Sequence, residues 1–151
     1  MDYTSGELSL EHAFDIQIFF KDRWSWGPIH AGGPSHGYTS VLKGTVEGPR
    51  LNGVIVDVSG ADWPVIRTDG VVELNAHYMI EADDGAKIYI RNMGYVYGAR
   101  PGRPGYFRCT PYFRAPEGPH EWLNRTVIVG GGERHPDPDG DFSLFRYWAV
   151  F

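Results

Sequence analysis

The stretch GADWPVIRTDG, residues 60–70, places a carboxylate, Asp62, directly beside a large ring, Trp63, with a cation, Arg67, following. A carboxylate pressed against an indole loses hydration, so its pKa rises toward the range useful for proton transfer. A guanidinium nearby would hold an enolate or carboxylate oxygen as a fixed charge. Together they suit general acid/base chemistry. The plainer assignment has Asp62 capping the turn at Gly60 and Arg67 paired with Asp69 on the surface.

Other candidates lie further along the chain. Arg91, Arg108 and Asn124 share one parity on separate segments and would act as oxyanion or carboxylate holders. Tyr89 and Tyr106 offer hydroxyls to a carbonyl oxygen, and His77 would shuttle protons. Trp63, Trp122 and Trp26 would supply ring walls for a bound molecule. Cys109, the single cysteine, falls on an apolar parity and reads as a packed thiol. No Cys/His spacing fits a metal site, and no nucleophile elbow, P-loop or dinucleotide fingerprint is present, so neither metal nor cofactor is expected. The Gly130–Gly132 run follows a strand without a helical pattern after it, which argues against a phosphate cradle.

These residues need a scaffold, and composition indicates its class. The chain has 151 residues, enough for one domain over 1–151, with 20 Gly, 11 Pro and 15% aromatic residues. Frequent reversals joining short aromatic-rich segments favour an all-β domain. A net charge of −5 without any basic run excludes the phosphate-neutralising surface of a nucleic-acid binder. The acidic, polar N-terminus lacks the features of a secretory leader, and no apolar stretch reaches membrane-spanning length; a cytoplasmic protein without membrane contact is expected.

Alternation marks the strands. FDIQIFF (14–20), VLKGTVEG (41–48), LNGVIVDVSG (51–60) and VVELNAHYMIEA (71–82) come first. An Asp-Gly turn at 83–85 leads into AKIYIRNMGY (86–95), followed by GYFRCTPYFRA (105–115), EWLNRTVIVGGG (121–132) and FSLFRYWAVF (142–151). About eight strands at this spacing suit an antiparallel barrel, because closure removes exposed edges. The Gly- and Pro-rich segment 24–40 reads as a long lid-like loop.

Within each strand, alternate residues share a face. One parity gathers Asn75, His77, Tyr89, Arg91, Tyr106, Arg108, Trp122 and Asn124; the other gathers Leu74, Ala76, Tyr78, Ile80, Ile88, Ile90, Phe107 and Cys109. Either the apolar set is the core and the polar set meets water, or the polar set lines a cavity. Parity alone does not choose.

The runs GTVEGPRLNG (44–53), GADWPVIRTDG (60–70), ELNAHY (73–78), DDGAKIYIRNMG (83–94), YFRCTPYF (106–113) and WLNRTVIVGGGER (122–134) together resemble the DUF3237 family, also called UPF0311. The resemblance covers roughly residues 41–134 in order and spacing. It implies a small calycin-like or allene oxide cyclase-like barrel, often found as a homodimer, with no generally established activity. Two features depart from the pattern: a longer, Trp- and His-rich 24–40 segment, and Asn75 and His77 where the family more often has Asp and Arg.

The functional expectation is a cofactor-independent isomerase, cyclase or lyase acting on a small aromatic or polyketide-like metabolite. In it Asp62 is the acid/base, and Arg67, Arg91, Arg108 and Tyr89 stabilise charge. A non-catalytic small-molecule carrier would use the same lining, and a structural subunit would have a filled interior.

Overall fold

Period-two alternation produces ten strands in the computed structural model, which describes residues 1–151. They are β1 (Leu10–Trp26), β2 (Ser35–Glu47), β3 (Gly53–Ile55), β4 (Ala61–Asp62), β5 (Val65–Ile66), β6 (Val72–Ala82), β7 (Lys87–Tyr97), β8 (Tyr106–Arg114), β9 (Ile128–Asp137) and β10 (Gly140–Val150). The sole helix is a 3-10 turn, Glu121–Asn124. No helix is long and apolar enough to cross a membrane.

All pairings are antiparallel, and β1 bonds to both β10 and β2, which closes the sheet into a ring. The short strands β3, β4 and β5 lie in turn between β2 and β6, so together they form one stave. With the seven long strands the barrel has eight staves.

The apolar parity faces inward. Ile80, Ile88, Ile90, Ile16 and Ile55 are each no more than 1% exposed, and Phe14, Phe113 and Tyr147 pack among them. Each such side chain contributes roughly 1.5–3 kcal/mol relative to an exposed position. The lower half of the lumen is thereby filled. Leu123 on the 3-10 turn and Leu51 on the loop after β2 close this end. Outside, Arg50 lies 3.8 Å from the centre of the Trp122 ring.

Three segments differ from expectation. The 24–40 stretch is a β-hairpin arm, not a long loop: pairing continues to Trp26↔His36, and only residues 27–34 turn. Aromatic stacking carries it, with Trp24 and Tyr38 at 4.9 Å and Tyr38 and Trp63 at 4.8 Å. Residues 121–127 are not strand, because Leu123 enters the barrel end and Asn124 bridges the Ala115 backbone at 2.7 and 2.9 Å. Finally, the Gly130–Gly132 run makes room for rings. A methyl at Gly130 would lie 2.7 Å from Tyr147 and 2.8 Å from Cys109 Sγ, and one at Gly132 would lie 2.7 Å from Phe107.

Candidate active site

The upper half of the lumen is a cavity of about 190 Å³. Position along the strands and side-chain length order its contents by depth. At the rim stand Arg23 on β1 and Arg134 on β9; below them come Asp62 on β4, Thr39 on β2 and Ser143 on β10; Tyr78 on β6 and Asn92 on β7 form the floor. Apolar side chains, among them Phe20, Leu74, Val72 and Phe145, fill the wall between these groups. Convergent polar groups in an apolar concavity are the usual makeup of a small-molecule site.

Asp62 is the carboxylate of this chamber. β4 is two residues long and pairs on both sides, Thr39↔Asp62 and Asp62↔Ala76, which fixes its backbone in the wall. Alternation then turns the Asp62 side chain inward and Trp63 outward. Removal from water pushes the Asp62 pKa up to about 6, against the opposing pull of the Asn75 N–H, which donates to Oδ1 at 2.8 Å, and of the Arg23 charge. A carboxyl group so placed exchanges a proton readily near neutral pH.

The rim carries two cations for one carboxylate. Arg23 Nη2 donates to Asp141 Oδ2 at 2.8 Å, and Arg134 Nη2 lies 2.9 Å from Asp141 Oδ1. Arg23 also donates to Thr39 Oγ1 at 3.2 Å. Both guanidiniums flank the Phe20 ring, at 5.6 and 5.8 Å from its centre. Desolvation, and then the neighbouring Arg23, hold the Arg134 pKa below its ordinary value.

The floor is polar and unpaired. Tyr78 is 3% exposed and Asn92 is 2% exposed, yet the Tyr78 hydroxyl and Asn92 Oδ1 have no hydrogen-bond partner. The Tyr147 hydroxyl beneath them is unpaired as well; it approaches Tyr78 and Cys109 without hydrogen-bonding geometry. Burial pushes the Tyr78 pKa upward and lifts the Cys109 thiol to about 11, so both keep their protons.

Of the residues picked out in sequence, only Asp62 lines this cavity. The polar parity is on the outer surface, so the cavity-lining alternative does not hold for it. Arg67 pairs with Asp69 at 2.5 Å and Glu73 at 3.6 Å on the surface. Arg91 Nε donates to Asn75 Oδ1 at 3.1 Å along the outside of β6 and β7, and there the His77 ring meets the Tyr89 hydroxyl at 2.5 Å. Arg108 spreads over the Tyr106 ring at 5.7 Å, and Tyr106 stacks on Tyr97 at 5.1 Å. Trp63 and Trp26 are 50% and 48% exposed on the arm side, while Trp122 and Asn124 serve the closed end. The physical reason is common to them: strand alternation spends the inward positions on apolar residues, and charged neighbours are left to water.

Arg23, Arg134, Tyr78, Asn92, Thr39 and Ser143 were not singled out. Arg134 was legible in principle, since the inward parity Ile128, Gly130, Gly132 reaches it directly. Arg23 was not, because register shifts between Phe19 and Arg23 interrupt the alternation.

A wider depression of about 630 Å³ on the barrel's flank carries Asp15, Arg108 and Arg146, but Asp15 and Arg146 already form a two-pronged pair at 2.9 Å. Nowhere do three or more His, Cys, Asp or Glu side chains converge as metal ligands. The molecule is thus a closed antiparallel barrel with one half filled and one half open around an ionisable group.

The chain belongs to the family described as "Protein of unknown function (DUF3237)", which it matches over residues 8–150. A UPF0311 protein of Rhodopseudomonas palustris is 32% identical over 142 residues, covering 86% of this chain and 91% of the relative. A beta-barrel like protein from Acinetobacter baumannii, solved by crystallography, superposes with a TM-score of 0.87 at 26% identity, covering 99% of this chain and 100% of that one. A hydroalkoxylation enzyme of Penicillium herquei is 21% identical over 144 residues, 90% of this chain and 83% of its own length. A crystal structure of an enzyme from the same fungus has a TM-score of 0.74 at 18% identity, with 100% of both chains covered, a likeness of fold.

Proposed function

We propose that this barrel is a cofactor-independent enzyme, an isomerase, cyclase or lyase, which acts on a small aromatic or polyketide-like metabolite held in the upper lumen. The observation that carries the reading is Asp62, a carboxyl group with a pKa near 6 inside an apolar-walled cavity. The similarity to a hydroalkoxylation enzyme supports it, because adding O–H across a C=C bond is a proton-transfer reaction. In an intramolecular case the substrate closes a ring without changing mass. Protonated Asp62 gives its proton to the alkene carbon, the substrate hydroxyl oxygen forms the new C–O bond, and the Asp62 carboxylate takes the hydroxyl proton. The π bond is consumed, one C–H and one C–O bond form, and the acid is restored. No electron acceptor or donor enters.

The test is turnover of alkenyl phenols and hydroxy-enones in D2O, followed by mass spectrometry and NMR. The wild type yields a cyclic product with one deuterium on the former alkene carbon, and Asp62→Asn does not. Ligand binding with no isotope incorporation by the wild type would overturn the enzymatic reading and make the barrel a carrier.

A further inference from the structure

Two sets of polar groups in the cavity are not consumed by proton transfer at Asp62, and they lie at opposite ends of it. At the floor, the Tyr78 hydroxyl and Asn92 Oδ1 are buried and unpaired, and both residues line the cavity. Unmet polar atoms at such burial are costly unless something completes them. Asn92 lies beside the Cys109 thiol, and its amide oxygen has no partner. The floor therefore presents one O–H donor and one carbonyl acceptor. A hydroxyl group satisfies both at once; a carbonyl oxygen would satisfy Tyr78 and leave Asn92 unpaired. An anion is disfavoured there, since no cation reaches the floor.

At the rim the balance is reversed. Arg23 and Arg134 share Asp141 as their only acidic partner, and each guanidinium has five N–H donors, most of them unused by Asp141, Thr39 and Ser143. Both lie over the Phe20 ring, which forms an apolar shelf. Paired guanidiniums over an aromatic face suit a planar carboxylate. The volume of about 190 Å³ bounds what lies between the ends, because a cavity of ~150 Å³ accommodates a benzene ring.

We infer that the cavity selects a single-ring molecule with a hydroxyl group at its inner end, held by Tyr78 and Asn92, and a carboxylate at its outer end, held by Arg23 and Arg134. This names the substrate class for the reading above and rests on the upper lumen being the binding site.

The probe is 4-hydroxybenzoate, which has no alkene to react, so binding is read independently of turnover. Isothermal titration compares it with benzoate and with phenol, each lacking one end. The wild type binds 4-hydroxybenzoate about tenfold or more tightly than either. Tyr78→Phe lowers affinity for 4-hydroxybenzoate to that of benzoate and leaves benzoate unchanged. Arg134→Gln and, as an independent variant, Arg23→Gln weaken both carboxylates and leave phenol unchanged. Equal affinity for the three compounds, no binding of 4-hydroxybenzoate, or a Tyr78→Phe effect that also appears with benzoate would overturn the inference. Binding as expected, with no deuterium incorporation from any alkenyl substrate, would leave it standing and remove the proposed reaction alone.

Discussion

Asp62 and Trp63 are consecutive residues on opposite sides of the barrel wall: the carboxyl enters the lumen, and the indole packs outside against Tyr38 at 4.8 Å. The desolvation of Asp62 therefore comes from Leu74, Val72, Pro64 and their neighbours inside, not from the adjacent ring.

That setting has a measurable cost. The folded-state pKa of Asp62, about 6, lies above its ordinary 3.8, so the folded chain binds the additional proton between those values. The stabilisation is fully present below 3.8 and is lost as pH rises through about 6. Ionising Asp62 costs roughly 3 kcal/mol by pH 8. Asp62→Asn, whose amide oxygen can still accept the Asn75 N–H, should be more stable than the wild type at pH 8 and nearly equal at pH 4. Urea denaturation at the two pH values checks this; equal stability at both would mean that Asp62 stays hydrated.

Activity should follow the same proton. With protonated Asp62 as the donor, kcat/KM falls as pH rises through about 6, and Asp62→Asn lowers it by about 10²–10⁴-fold below that pH, the gap closing above it. A kcat/KM that climbs across that window would assign the ionised form as the working one.

Arginines on the outer wall should be dispensable for chemistry. Arg91→Gln and Arg108→Gln each remove a cation that meets only Asn75 or the Tyr106 face and backbone, and turnover should stay within twofold of wild type. A large loss in either, with the melting temperature unchanged, would place chemistry outside the lumen.

Gly130 should not tolerate a side chain. Its added methyl meets Tyr147, which is 0% exposed and has nowhere to retreat, and the Cys109 sulfur. Gly130→Ala should cost about 1–3 kcal/mol, read as a fall of several degrees in Tm. Gly98→Ala, which meets nothing within 4 Å, is the control.

The barrel was readable because alternation and turn chemistry agree over β6, β7 and β8, whose bounds fall within two residues of the expected 71–82, 86–95 and 105–115. The arm was missed because its density of Gly and Pro masks cross-strand stacking that only partner strands reveal. Asp62 was found through its neighbour Trp63, although that ring turned out to face away. The remainder of the site is non-local. Arg23 and Asp141 are 118 residues apart in the chain, and nothing near either one announces the other.

The backbone hydrogen bonds between Ser9 and Phe151, at 2.8 and 2.9 Å, lie at the filled end, opposite the rim arginines. Fusion partners, affinity tags or surface tethers joined at Ser9 or Phe151 therefore hang from the base and leave the entrance clear. A direct peptide splice from Phe151 to Ser9, with new ends opened elsewhere, would keep every stave in its place.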